Sequence, residues 1–150
     1  MNFYNVMDVA NFIIDLCSRK GEPVSNLRLQ KLLYFAWVDF YGKTRRNLFY
    51  EPMCAWQLGP VVPEVYKNYC SYGGRPINLY WESTEIEAED AALLTNIVEK
   101  YWNVPSSELV DRTHKPDTAW FQVYDGGKGN KKIIPFELIK QKEFGESYVS

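Results

Sequence analysis

The stretch that decides the fold is residues 25–42, with the sequence SNLRLQKLLYFAWVDFYG. Past its first two turns nearly every position is apolar, which predicts a helix with almost no polar face. Such a helix has to be enclosed by other elements, so we expect it to be the central helix of the fold. Ser25 can accept a backbone N–H at its start, and Gly42 tolerates the left-handed geometry of a helix end.

The central helix carries few polar side chains, and they gather toward its first half. Residues three or four positions apart share a helix face, so Lys31 and Tyr34 are expected near Leu27. Buried polar groups need hydrogen-bonding partners. Polar chemistry can therefore arise beside the core at this end of the helix.

The composition is that of a globular protein. A chain of 150 residues, 46% hydrophobic and 24% charged, suits one domain and buries roughly 70% of its unfolded surface without disulfides or metals. The net charge of −2 argues against a nucleic-acid partner, because such domains usually carry a basic excess. The aromatic share of 16% is high. Those rings either fill the core or, where exposed, strengthen an interface.

The cysteines and the N-terminus predict a cytoplasmic protein. Cys17, Cys54 and Cys70 are far apart among apolar neighbours, as expected of small buried residues in a reducing compartment. The N-terminal stretch lacks a basic leader and carries Asp8 within its apolar pattern, which favours a helix over a signal peptide. The longest apolar run, residues 32–38, is far shorter than the ~20 residues that span a bilayer. We expect no membrane partner.

The remaining sequence predicts more helices and little β-structure. An extended segment at residues 53–57, ending at Gly59-Pro60, is expected to pair with a strand at 77–81. Residues 125–132 are predicted to be a flexible loop. The expected fold is mainly α: one compact domain over residues 1–150, with about seven helices around a buried central helix and at most a small β-hairpin. Spacing and capping residues place the other helices at residues 6–17, 63–72, 91–101, 106–112, 117–124 and 135–144.

The chain offers little chemistry for catalysis or for binding a metal. His114 is the sole histidine and follows a predicted helix end, where an imidazole commonly bonds the last carbonyls. A metal would need more nitrogen or thiolate ligands, and the cysteines lack ligand spacing. The glycine-rich residues 126–130 lack the Gly-Lys-Ser/Thr ending of a phosphate-binding loop. The acidic residues at 85–90 complement the positive end of a helix. We expect no cofactor, no metal and no enzymatic activity.

Three separated blocks of sequence carry a family resemblance. They are NLRLQKLLYFA at residues 26–36, AWQLGPVVPEVY at 55–66, and Thr113-His114 followed by Trp120. Together they resemble the Panacea domain of SocA-like antitoxins. The resemblance implies a mostly helical domain, found in bacteria and phages and often beside a toxin gene, that neutralises its toxin by direct binding. In at least one branch it also implies an adaptor that delivers the toxin to a Clp protease.

The matched positions divide into scaffold and candidate contacts. Gly59 and Pro60 set a turn, Pro63 starts a helix, and Trp56 and Trp120 are expected in the core. The best candidates for binding the partner are polar groups on the helix face and at a helix end: Gln30, Lys31, Tyr34 and His114. The positions interpreted as structural are Leu27, Trp56, Gly59, Pro60, Pro63, Tyr66, Thr113 and Trp120.

Two other functions remain open at this stage. The first is a small-ligand enzyme that uses Lys31, Tyr34 and His114, which requires the three side chains to meet in one accessible cavity. The second is a phage or prophage accessory protein that binds a host factor. Both are compatible with the predicted fold. A common cavity for the three side chains would favour the enzyme, and identification of the bound protein would distinguish a host factor from a toxin.

Overall fold

The helix α2, Asn26–Thr44, lies at the centre of the structure. The structure is a computed structural model and describes residues 3–82 and 85–146. The Ser25 side chain accepts the backbone N–H of Arg28 at 3.2 Å, as predicted for an N-cap. Every residue at positions 29–38 is buried. The predicted central helix, enclosed by its neighbours, is confirmed.

The predicted end of this helix is wrong. The helix continues to Thr44 and its C-cap is Arg45, which takes the left-handed conformation with φ 59°. Gly42 lies inside the helix, and the ring of Phe144 packs over it so closely that a Cβ would lie 3.1 Å from the ring. Packing against a distant residue, and not helix termination, explains the glycine at position 42.

The described residues form seven α-helices, which confirms the mainly α prediction. Besides α2, the helices are α1 (Val6–Arg19), α3 (Pro63–Tyr69), α4 (Ala88–Lys100), α5 (Ser106–Thr113), α6 (Ala119–Tyr124) and α7 (Phe136–Phe144). Five of them, α1, α3, α4, α5 and α7, pack against α2. None of the described helices is long and apolar enough to cross a bilayer.

A small antiparallel sheet completes the described fold, in the order β2-β1-β3. Its strands are β1 (Met53–Trp56), β2 (Gly59–Val61) and β3 (Ile133–Ile134). β1 and β2 form a hairpin closed by Gln57 and Leu58, with Trp56 opposite Gly59. A small β-hairpin is therefore present, but β1 pairs with β2 and not with the predicted partner, and β3 adds a third strand. Gly59 and Pro60, predicted to set a turn, lie in β2.

The prediction of a strand at residues 77–81 is wrong. In that stretch Ile77 forms a single isolated bridge with Val24, and β1 pairs instead with β2 and β3. Residues 125–132 are not a free loop either, because the Lys131 N–H donates to the Ala55 carbonyl at 2.6 Å. Hydrogen bonds between distant segments decide both outcomes.

Two predicted helix caps are displaced by one residue. The N-cap of α6 is Thr118, not Asp117, and its side chain accepts the N–H of Phe121 at 3.2 Å. The N-cap of α5 is Pro105, and the Ser106 hydroxyl instead accepts from the guanidinium of Arg28 at 3.0 Å. Side chains at these helix starts thus serve tertiary contacts as well as capping.

Two arginines that follow α2 form ion pairs with distant carboxylates. Arg46 forms an ion pair with the buried Asp90 at 2.7 Å, and Arg45 pairs with Glu146 at 3.0 Å. Asp90 also accepts the hydroxyl of Tyr4 at 2.5 Å. Burial raises the pKa of Asp90, but the hydrogen bonds from Arg46 and Tyr4 outweigh it and lower the pKa below its usual value. Among the acidic residues at 85–90, Asp90 therefore forms tertiary contacts in addition to complementing the helix dipole.

The cysteines correct one further prediction, because Cys70 is exposed while Cys17 and Cys54 are buried. Burial raises the pKa of Cys17 to about 11 and also raises that of Cys54. The thiolate is the reactive form. We expect iodoacetamide at pH 8 to label Cys70 rapidly in the native protein, with the other two thiols labelled only after unfolding. Peptide mass spectrometry checks this, and equally rapid labelling of Cys17 would contradict the fold.

Candidate functional site

The side chain of Gln30 joins three elements near the start of α2. Its Nε2 donates to Asn26 Oδ1 at 3.1 Å, and its Oε1 accepts the N–H of Val62 at 2.9 Å. Asn26 in turn donates to the carbonyl of Tyr66 at 3.1 Å. These hydrogen bonds hold the end of β2 and the first turns of α3 against the central helix. The amide of Gln30 is buried and its two ends are used within the fold.

Lys31 is 0% exposed and its ammonium donates a hydrogen bond to the carbonyl of Leu58. No carboxylate among residues 3–82 and 85–146 forms an ion pair with it. Burial without a counter-ion disfavours the charged form and lowers the pKa of Lys31 to about 8. The lysine therefore anchors the hairpin turn at the expense of desolvating its own charge.

Gly59 makes room for this lysine. Its φ of 123° lies in a region that side chains with a Cβ rarely adopt. An added Cβ would overlap the Lys31 nitrogen and lie 3.0 Å from Thr113 Oγ1. Three positions of the sequence motif, from α2, β2 and α5, thus meet at one crowded point behind the hairpin turn.

His114 and Trp120 extend this cluster. The imidazole stacks on the Trp120 ring with centroids 3.9 Å apart and an interplanar angle of 4°. Trp120 Nε1 donates to the carbonyl of Trp56 at 2.7 Å, which ties α6 to β1. The predicted bonding of the imidazole to the last carbonyls of the helix is wrong: the backbone N–H of His114 bonds the carbonyls of Val110 and Asp111, and the ring forms no hydrogen bond with either. Its ring lies instead against Trp120.

The half-buried imidazole of His114 lies near the ammonium of Lys31 and the carboxylate of Asp111, which shift its pKa in opposite directions. Burial lowers its pKa, the nearby ammonium of Lys31 lowers it further, and a hydrogen bond to the Leu58 carbonyl opposes both effects. Its Nε2 is buried and has no hydrogen-bond partner among the described residues. Lys31 and His114 thus both lie at the hairpin turn that carries Leu58, and only Lys31 is fully buried there.

Tyr34 lies apart from this pair. It is buried, and its hydroxyl lies 2.7 Å from Glu143 Oε2 on α7. Because Lys31 and Tyr34 are both enclosed and have different hydrogen-bond partners, these two and His114 do not open onto one accessible surface. The small-ligand enzyme hypothesis required these three side chains to meet in one accessible cavity, and they do not. No group of three or more His, Cys, Asp or Glu in the described ranges is placed to hold a metal ion.

The motif residues also shape an open groove of about 450 Å³ between the start of α2, the β1–β2 hairpin and α3. Leu27 and Leu58 are 36% and 50% exposed at this groove. The half-buried rings of Trp56 and Tyr66 meet edge to face with centroids 4.9 Å apart. We call it the motif groove. Its lining includes Leu27, Gln30, Trp56, Leu58, Tyr66 and the pair Gly73-Gly74.

The groove contains one residue that the sequence placed in the core, Trp56, and one that was not a candidate, Leu58. Trp56, expected in the core, is half-buried and lines the groove, whereas Trp120 is buried as predicted. Leu58 was not singled out as a candidate. An apolar residue in a two-residue hairpin turn, where Gly, Asn, Asp or Ser are usual, is the signal that would have found it.

Most of the positions that crowd around the Leu58 carbonyl or line the groove belong to the three sequence blocks. The family model of the SocA-like antitoxin, Panacea domain, matches residues 29–121. The chain belongs to the SocA-like antitoxin Panacea family. The match spans the Lys31, Gly59 and His114 cluster, while α1 and α7 lie outside it.

One curated relative of this Panacea chain is Antitoxin SocA of Caulobacter vibrioides (strain NA1000 / CB15N). The two are 43% identical over 72 residues, which cover 46% of this chain and 37% of the relative. The chain thus matches little more than a third of that relative's length. No solved structure matches the chain.

Burial of Lys31 predicts that the free energy of unfolding depends on pH. The folded pKa of Lys31, about 8, lies below its unfolded value of 10.5. Between these values the unfolded chain holds a proton that the folded chain has released, so stability increases with pH. We expect the free energy of unfolding of the wild type, minus that of Lys31→Met, to rise by about 2 kcal/mol from pH 8 to pH 10.

Urea unfolding of the two proteins at both pH values measures this difference. Subtraction removes the titration of tyrosines and cysteines, which both proteins share. A difference that stays constant or falls between pH 8 and pH 10 would show that Lys31 is not buried without a counter-ion.

Proposed function

We propose that this Panacea chain is an antitoxin that neutralises a cognate toxin protein in the cytoplasm by binding it directly through the motif groove. One observation carries the proposal: motif positions of the family resemblance converge on a single groove whose exposed Leu27 and Leu58 offer apolar surface to a partner. The rings of Trp56 and Tyr66 in the same groove are of the residue types whose truncation most often weakens binding. Family membership supports the antitoxin role.

The support behind the groove favours binding without rearrangement. The amide chain from Val62 through Gln30 to Asn26 holds two of its walls together. The ammonium of Lys31 holds the hairpin turn that carries Leu58. A surface whose conformation is already set loses less entropy when a partner binds. The motif groove therefore suits a protein that acts by occupying its target rather than by chemistry.

In this proposal the four polar candidates have different roles. Gln30 lines the groove and supports its floor. Lys31 and His114 act through the Leu58 carbonyl and position the turn, without touching the partner. Tyr34 acts through α7, which it binds at Glu143. We treat residues 1–150 as one domain, since α1 and α7, on either side of the matched segment, both pack on α2.

Co-expression with the product of the adjacent gene tests the proposal. We expect the neighbour alone to arrest growth, this chain to restore growth, and the two proteins to co-purify. A neighbour that is harmless alone and does not co-purify would refute the antitoxin function. Capture of a host protein in the absence of any toxin would favour the host-factor alternative.

Delivery of the toxin to a Clp protease is a further part of the proposal that comes from the resemblance. A host strain without the protease separates delivery from occlusion. Loss of neutralisation in that strain, with the complex still formed, would support an adaptor role. Full neutralisation would show that binding alone suffices.

A further inference from the structure

Cationic side chains border the motif groove. The ammonium of Lys131 lies 5.4 Å from the centroid of the Trp56 ring, which lines the groove. Arg75 directly follows Gly74, which also lines the groove, and its guanidinium donates to the carbonyls of Tyr72 and Ser71. Within residues 3–82 and 85–146 neither cation forms an ion pair with a carboxylate. Both charges are therefore available to a partner.

The groove itself adds no negative charge. None of its lining residues is acidic, and the ammonium of Lys31 lies behind it on the Leu58 carbonyl. Glu64 is two positions from Tyr66 on α3, and residues at that spacing do not share a helix face. The chain as a whole carries a net charge of −2, so the positive edge of the groove is a local feature and not a general property of the surface.

We propose that the motif groove binds a segment of the partner protein in which a large apolar side chain is flanked by carboxylates. This inference rests on the proposed function, and it names the chemistry of the toxin surface that the groove recognises. The apolar side chain covers Leu27, Leu58 and the ring of Trp56, while the carboxylates pair with Lys131 and Arg75.

Size and charge both favour this occupant. The groove volume of about 450 Å³ lies within the range of about 300–1,000 Å³ that is typical of pockets for drug-sized ligands. It can therefore receive a large apolar side chain and its neighbours. An arginine held by two carbonyls is preorganised to receive a carboxylate at its remaining donors. A basic segment would meet like charges on Lys131 and Arg75, which disfavours it.

The experiment uses a phage-displayed library of random 12-residue peptides, selected against the full chain. We expect enriched peptides to share a Leu, Phe, Ile or Trp flanked by Asp or Glu. Fluorescence anisotropy of one enriched peptide then compares variants. Leu58→Ser weakens its binding about tenfold because apolar contact is lost, and Lys131→Glu weakens it about tenfold because a pairing charge becomes a repelling one.

Lys43→Glu is the matched control. Lys43 is an exposed cation in the last turn of α2, about 24 Å along the helix from Leu27, so the same change of charge there leaves peptide affinity unaltered. Lack of enrichment, enrichment of basic or uncharged peptides, or binding that ignores Leu58→Ser and Lys131→Glu would each overturn the inference.

The two proposals fail in different ways. If the neighbouring gene product binds this chain with an affinity that ignores Leu58→Ser and Lys131→Glu, the antitoxin function stands and the assigned surface is wrong. If that product does not bind while acidic-apolar peptides do, the groove stands and its natural partner is not the neighbouring toxin.

Discussion

Gly59→Ala is expected to lower the free energy of unfolding by about 3 kcal/mol. At a φ of 123° a residue with a Cβ is strained, which costs of order 1–3 kcal/mol. The new methyl group also displaces the ammonium of Lys31 from the Leu58 carbonyl, and a hydrogen bond from a charged group contributes about 1.5–3 kcal/mol. Because Lys31 is enclosed, its displaced charge cannot reach water. Urea denaturation followed by circular dichroism measures the loss.

Gly21→Ala separates backbone strain from crowding. Gly21 also has a positive φ, 77°, but no atom lies within 4 Å of its added Cβ, so its substitution is expected to cost only about 1 kcal/mol. The double variant Gly59→Ala, Lys31→Met removes the overlapping ammonium and should recover part of the lost stability. Equal costs for Gly59→Ala and Gly21→Ala would mean that the site behind the hairpin turn is not crowded.

Replacing both groove leucines, as Leu27→Ser with Leu58→Ser, is expected to weaken binding of the toxin about a hundredfold. Fully burying a leucine side chain contributes about 1.5–3 kcal/mol, and each of these two is already partly buried, so their combined loss is about 2.7 kcal/mol, which corresponds to a hundredfold change in affinity. Leu27 and Leu58 are 36% and 50% exposed in the free protein, so the double substitution should lower the free energy of unfolding by about 2 kcal/mol, and circular dichroism checks that the variant is folded. Calorimetric titration with an inactive toxin variant provides the measurement.

Tyr80→Ser is the control for this pair. Tyr80 is a large exposed side chain that lies outside the groove, over the guanidinium of Arg19, so its truncation should leave toxin binding intact. Full neutralisation by the double leucine variant would place the toxin-binding surface elsewhere on the chain.

Local signals in the sequence predicted much of the helical framework. The caps Ser25 and Asn5 accept backbone N–H groups within their own first turns, so their roles depend on neighbouring residues only. The long apolar run of α2 likewise requires enclosure whatever the enclosing elements are. Gly42 was misassigned because its packing partner, Phe144, is distant in sequence.

The sheet shows where local patterns fail. Residues 77–81 have the composition of a strand but form only the bridge of Ile77 with Val24. β3 has two residues, too few for any periodicity, and exists because backbone groups of β1 pair with it. Strand pairing is set by hydrogen bonds between segments, which composition does not encode.

What the sequence by itself determined is the mainly α fold, the identity of the central helix and the family resemblance, because these depend on periodicity, end signals and motif residues read in order. Only the tertiary structure decided that Lys31 and Gln30 are enclosed while Leu27 and Leu58 are exposed. The physical reason is that side-chain burial depends on which distant segments pack over a position. Here those segments are the β1–β2 hairpin, α3 and α5, brought against one end of α2.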